Sequence, residues 1–245
     1  MEKKSQSNTF NVKDVTELQN ALLADHRIRV IIGHYGSGKT EFSVNYALAM
    51  SQAGLKTSLA DLDIVNPYFR SREKAEMLEK HGIHVISSSR GHNANIDIPM
   101  ISAEIFAPLE NLSTHVVLDV GGDAIGARAV AQFRHHLKPG QYDMYCVINR
   151  NREQTKDLQG VMDHIRGIEA TIGAKVTGLI NNTHMLRETT VQDVMYGQEL
   201  VMEVSAFTGL PIRYVSAIAT VAEQLPKSLA GTIIPLELYM REAWM

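Results

Sequence analysis

The sequence predicts an α/β fold, a single domain built on a doubly wound, mostly parallel sheet flanked by helices. Three observations carry that prediction. Short β-branched runs alternate with helix-length segments along most of the chain, the pattern left by a parallel sheet with helices on both faces. Glycines close several of the helical segments just before a strand, where a left-handed cap is expected. A chain of 245 residues, 44% hydrophobic and 21% charged, can bury one full core, which favours one large domain over two small ones.

Taken in order, residues 1–27 form an N-terminal extension. Its first ~10 residues are polar, and "VKDVTELQNALLADH" has the spacing of an amphipathic helix that leads into the first strand. The domain proper spans 28–245. Its strand candidates are "IRVII", "KTSLAD", "IHVISS", "HVVLDV", "MYCVIN", "KVTGLIN" and "PIRYVS". Gly54, Gly82, Gly173 and Gly209 are the expected helix caps. "IPLELYMREAWM" at the C-terminus reads as a last helix with apolar residues on one side. There is no fixed-period repeat and no low-complexity linker.

Composition narrows the function classes. A formal net charge of −3 supplies no general field for polyanions, so nucleic acid is an unlikely partner. Cys146 is the only cysteine, which excludes disulfides and thiolate metal clusters built within one chain and fits a reducing cytoplasm. The N-terminus lacks the continuous apolar core of a secretory signal, and no run reaches the ~20 apolar residues of a membrane span.

The chemistry concentrates in "GHYGSGKT", residues 33–40, between a buried strand and a helix. A G-x-x-x-x-G-K-T segment in that setting is a phosphate loop. Its glycines allow consecutive backbone N–H groups to curl around a β-phosphate, while the helix N-terminus adds positive potential. Lys39 can reach the β and γ oxygens, and the Thr40 hydroxyl can be offered to Mg²⁺. The nucleotide-binding set expected here is Gly33, Gly36, Ser37, Gly38, Lys39, Thr40 and Glu41.

Two further strand ends carry carboxylates. "HVVLDVGG" ends in Asp119, which can hold Mg²⁺ or its water shell or can cap the next helix. Gly122 follows it and can offer a backbone N–H to a γ-phosphate. "LADLDIVNPYF" ends in Asp61 and Asp63, on one face of an extended chain. One of these can orient an attacking water or bind the metal, with Asn66-Pro67 opening a phosphate-sensing loop; the alternative is a pair of solvated turn residues.

These residues resemble a known family. The run "GHYGSGKTEFSVNYALAMSQAGLKTSLADLDIVNP", followed by "HVVLDVGGD", is similar to the MinD/ParA/nitrogenase-iron-protein superfamily of P-loop ATPases, the SIMIBI class, in motif order over roughly residues 28 to 183. The resemblance implies a doubly wound sheet and an ATP- and Mg²⁺-dependent switch that engages a protein partner and can pair as a homodimer around ATP. It implies that Lys39 and Asp63 are catalytic, Asp63 positioning water, and that Thr40, Asp119 and Asp63 serve the metal. In "GLINNTH" it implies that Asn182, with Asn181 as the fallback, reads adenine; a structural asparagine cap is the other reading.

The sequence also departs from the family. His34 and Tyr35 stand where MinD and ParA carry a lysine and a glycine, and Arg70, Arg72, Arg90 or Arg150 are the candidates to replace that charge. One cysteine cannot supply the paired ligands of a shared iron–sulfur cluster. The related guanine readers carry N-K-x-D where this chain has N-N-T-H, which favours adenine. Two alternatives remain: a small-molecule kinase or ATP-dependent ligase whose pocket draws on "NPYFRSRE" and "SSSRGHNANID", and a GTPase metallochaperone. The ten histidines, including "HGIH", "HH" and His92, form no compact ligand set in the sequence.

Overall fold

The computed structural model of the protein describes residues 12–63, 75–86 and 103–240. The expectations attached to Asn66-Pro67, Arg70, Arg72, Arg90, His92, the two substrate-pocket segments and the tail beyond Met240 lie outside them.

Among these residues eight strands form one sheet: β1 (Ile28–Gly33), β2 (Thr57–Asp61), β3 (His84–Ile86), β4 (His115–Asp119), β5 (Tyr142–Ile148), β6 (Gly178–Asn181), β7 (Ile212–Ile218) and β8 (Thr232–Leu236). Their spatial order is β3-β2-β4-β1-β5-β6-β7-β8, and every pairing is parallel. The helices are α1 (Val12–Ala24), α2 (Lys39–Gln52), α3 (Ala75–Lys80), α4 (103–110), α5 (Ala124–Ala131), α6 (Leu158–Ile172), α7 (Val191–Thr208) and the short α8 (Ala219–Ala222).

Alternation along the strands sorts the core into two layers. Val30 and Ile32 of β1 face a cluster closed by α4, α5, α6 and α7 through Leu109, Val130, Ile165 and Val204. Ile31, between them, faces a cluster closed by α1, α2 and α3 through Leu22, Phe42, Met50 and Leu78. β1, β2 and β5 are buried along their whole length, as strands covered on both faces are. The four glycines expected as helix caps, Gly54, Gly82, Gly173 and Gly209, take φ of 83°, 75°, 75° and 75°, the left-handed conformation that a side chain disfavours.

One element differs from the expectation. Residues 232–236, partly inside the segment read as a C-terminal helix, form the edge strand β8, and 237–240 continue without helix. Ile233 and Ile234 favour a strand, and Ile234 and Leu236 alternate inward. Pro235 lacks an N–H, which an edge position tolerates.

The crossovers reverse direction around β1, which lies between β4 and β5. Ligands of doubly wound sheets bind in the crevice at such a switch point, beyond the carboxyl ends of the strands. All the candidate residues described next stand at that edge.

Candidate functional site

The loop from Gly33 to Lys39 leaves β1 and runs directly into α2, so the first turn of the helix opens onto the crevice. Gly38 has φ 81°, and a Cβ there would lie 2.4 Å from Asn182 Nδ2; both the backbone and the neighbour demand glycine. Lys39 is buried, its ammonium within 3.5 Å of the His34 carbonyl. Burial pulls its pKa down, while Asp119, Asp63 and Asp123 pull it back up.

Asp119 ends β4 at the sheet centre and is fully buried. Ser43, one helical turn after Lys39, donates its hydroxyl to Asp119 Oδ1 at 3.1 Å. The other oxygen, Oδ2, is buried without a hydrogen-bond partner among the described residues. Burial pushes the Asp119 carboxyl up to about 6, against the pull of the Lys39 ammonium and the Thr40 and Ser43 hydroxyls; Asp63 adds to the rise. The residue that caps α5 is Asp123, whose Oδ1 accepts from Gly126 N–H at 2.8 Å, which leaves Asp119 without a capping role.

The donor set suits Mg²⁺. That ion takes few protein ligands, commonly one carboxylate and a hydroxyl beside phosphate oxygens and water. Thr40 and the buried, incompletely bonded Asp119 carboxylate meet that requirement. Among the described residues no group of three or more His, Cys, Asp or Glu is placed to hold a metal by itself.

Asp61 and Asp63 flank the end of β2, which stops at Asp61, and the Asp63 N–H donates to Asp61 Oδ1 at 3.1 Å, a local Asx contact. Neither is a solvated turn residue, at 3% and 5% exposure. Asp61 is in register with Asp119 across β2 and β4, and Asp63 lines the central cavity. Gly122 lies against the phosphate loop: a Cβ there would lie 2.7 Å from the Tyr35 backbone nitrogen.

The cavity has a volume of about 210 Å³ and opens to solvent. Its phosphate end is formed by Gly36, Gly38, Lys39, Thr40 and Asp63, and its far wall by Leu186, Ile218, Leu236, Leu238 and Met240. Leu186 takes φ 57°, a conformation rare outside glycine.

Asn182 is buried between these ends. Its Nδ2 donates to the Ser37 carbonyl at 2.7 Å, and its Oδ1 accepts from Ser216 Oγ at 2.8 Å. The side chain therefore ties β6 and β7 to the phosphate loop, with one N–H remaining. A purine N7 could take that hydrogen, but N7 is an acceptor in adenine and guanine alike. Asn181 serves the core: its Nδ2 donates to the Val194 carbonyl and Gln198 Oε1, and its Oδ1 accepts from Thr183 N–H.

Glu41 lines the cavity, but its carboxylate accepts the backbone N–H groups of Tyr239 at 2.6 Å and Met240 at 3.1 Å. Asn45, one turn later, accepts from Glu237 N–H and donates to its carbonyl, each at 2.9 Å. The helix that begins at the phosphate loop thus holds the C-terminal segment as a pocket wall. His34 packs edge-on against His164 with ring centroids 5.7 Å apart. Burial, His34 and Lys39 push His164 down to about 4, so it stays neutral.

The arginines separate sharply. Arg150 is committed to α7: its guanidinium lies 3.8 Å from the Tyr196 ring centroid, and Nη1 donates to the Tyr196 carbonyl and to Glu199. Arg152, which the motifs did not single out, reaches the phosphate loop and donates from Nε to the Gly36 carbonyl at 2.8 Å. The signal for it was its place just past the end of β5, at the functional edge of the sheet. Cys146 is buried on β5, and burial pushes its thiol up to about 12, which makes it a packing residue.

No family model matches the chain, and no curated protein matches it. Solved structures do. The cell division protein FtsY of Thermotoga maritima is 18% identical over 83% of this chain and 68% of that one, with a TM-score of 0.52. Chloroplast FtsY from Physcomitrella patens is 18% identical over 82% and 65%, with a TM-score of 0.53. The signal recognition particle receptor FtsY from Elizabethkingia anophelis, solved in complex with GDP, is 15% identical over 85% and 65%, with a TM-score of 0.52. This chain spans about two thirds of the length of each.

At such identities the likeness is one of fold. The fold shared with them is an α/β domain whose parallel sheet, eight-stranded among the described residues of this chain, is flanked by helices. No helix among the described residues is long and apolar enough to cross a membrane.

Proposed function

We propose that the protein is a Mg²⁺-dependent ATP-binding switch of the MinD/ParA type, which hydrolyses ATP and changes its engagement of a protein partner with the nucleotide state. The observation that carries this reading is the convergence of Lys39, Thr40 and Asp63 on one cavity, with the incompletely bonded Asp119 carboxylate buried beside them. Lys39 and the loop N–H groups of Gly36 to Thr40 hold the phosphates. Thr40 and Asp119 would hold the metal. When bound, Mg²⁺ would neutralise phosphate charge and orient the terminal oxygens. Asp63 accepts a hydrogen bond from the attacking water and sets its direction, and Gly122 offers its N–H near the terminal phosphate.

Adenine is supported by the far wall. Guanine presents N1 and N2 protons that need an acceptor, ordinarily a carboxylate. Among the described residues that wall is apolar apart from Thr189 and His184, and the Glu41 carboxylate beside it already accepts two backbone N–H groups. A guanine base there would leave donors buried and unpaired, which costs roughly 1–3 kcal/mol per group.

The second reading is a GTPase, favoured by the fold likeness to FtsY, one structure of which contains GDP. A direct competition of ATP against GTP for the purified protein separates the two. Preference for ATP supports the first reading, and preference for GTP replaces it. A face-to-face homodimer would need a trans contact other than His34, whose ring is already packed against His164.

A further inference from the structure

Two arginines stand two positions apart beyond β5; Arg150 is turned to α7 and Arg152 to the phosphate loop. The Arg152 Nε holds the Gly36 carbonyl, while its two terminal nitrogens have no acceptor among the described residues. The guanidinium lies against the middle of the phosphate loop: a Cβ on Gly36 would meet its Nε at 3.0 Å and its Cζ at 3.1 Å. It also lines the same cavity as Lys39 and Thr40.

The segment that presents it is locally braced. Asn149 is fully buried, its Oδ1 accepts from Asn151 N–H at 3.0 Å, and its carbonyl takes the Thr155 hydroxyl at 2.8 Å and the Arg152 N–H at 3.1 Å. Arg152 is therefore pre-positioned, and less side-chain entropy is lost when a ligand engages it.

Charge balance supplies the motive. A nucleoside triphosphate carries about four negative charges at neutral pH, and Mg²⁺ with one lysine offsets about three of them. The Asp119 and Asp63 carboxylates add more negative charge on the β4 and β2 side of the loop. Arg152 comes from β5, on the opposite side of β1.

We propose that Arg152 is a second cationic phosphate ligand. Through its terminal nitrogens it binds the diphosphate portion of the nucleotide on the flank of the loop away from the metal carboxylate, while its Nε holds the loop in shape. A guanidinium suits this task, because its planar fork can bind two phosphate oxygens at once. The inference rests on the nucleotide-binding reading above.

The test separates charge from scaffolding. Arg152→Gln places an amide N–H where Nε stands, so the bond to Gly36 is retained while the charge and the terminal nitrogens are lost. Calorimetric titrations of Mg-ATP, Mg-ADP and AMP into the full-length wild type and the variant should show losses of roughly 10- to 100-fold for Mg-ATP and Mg-ADP and a much smaller loss for AMP. The salt dependence of Mg-ADP binding should flatten, and Arg152→Lys should recover part of the affinity. If Arg152→Gln binds Mg-ADP and Mg-ATP as the wild type does, Arg152 only shapes the loop and the inference is overturned. If the wild type binds no nucleotide at all, it is the nucleotide-binding reading that has failed.

Discussion

Replacing Asp119 by asparagine should make the ligand-free protein more stable while it weakens the metal site. Burial holds the Asp119 carboxyl at about 6, against an ordinary 3.8. Between those values the folded chain retains a proton that the unfolded chain has released, so this group costs stability as pH rises from 4 to 6, and the cost stays constant above. The shift corresponds to roughly 3 kcal/mol at pH 8. Asparagine keeps the shape and the acceptor for Ser43 but carries no charge. Lys39 then loses the leading one of its attractive neighbours, which returns part of the gain, so about 1–2 kcal/mol should remain. For a domain of this size that is a rise of about 2–8 °C in Tm. Thermal unfolding of wild type and Asp119→Asn in EDTA, from pH 4 to pH 8, measures it. The gap should be widest above pH 7 and shrink towards pH 4, and the variant should gain far less from Mg²⁺ with ATP than the wild type does. A variant no more stable at pH 8, or a gap independent of pH, would refute the electrostatic account of this carboxylate.

Three further outcomes follow from the same contacts. Gly122→Ala should force the Asp119–Gly122 turn away from Tyr35, costing about 1–3 kcal/mol in unfolding experiments and lowering nucleotide affinity; unchanged values would mean that the close approach does not matter. Asn182→Ala should weaken ATP and GTP by similar factors, because its bonds brace the loop; a loss confined to ATP would restore it as the adenine reader. Glu41→Ala should free the 237–240 segment, seen as faster proteolysis near the C-terminus and as a greater loss of affinity for ATP than for inorganic pyrophosphate.

What could be read from the sequence follows the range of the interactions concerned. The β1–loop–α2 unit is local: a buried strand, glycines and a Lys-Thr pair within a few residues dictate one another, and the expected residues meet in space. Asp119 was legible because a carboxylate that closes an apolar run has to stand at the end of a buried strand, where the sheet opens onto its crevice. β8 was misread because "IPLEL" carries both periodicities, and only its place at the sheet edge makes Pro235 acceptable in a strand. Arg152 meets Gly36 across 116 positions, and Glu41 meets Met240 across 199. Nothing in a local pattern announces that β5 will lie beside β1, or that α2 will hold the C-terminal segment. Ser43 is the intermediate case: four residues after Lys39, it shares a helix face with it, and that spacing was readable once Asp119 was placed opposite.

The central claim, that this crevice binds a Mg²⁺-nucleotide through its phosphate loop, is tested most directly by titrating Mg-ATP into the wild type and Lys39→Ala under identical conditions. The wild type should bind saturably and only weakly in EDTA, whereas Lys39→Ala, folded as judged by an unchanged far-UV spectrum, should bind at least about 100-fold more weakly. Absence of binding in the wild type, or equal binding in the two proteins, would contradict the account.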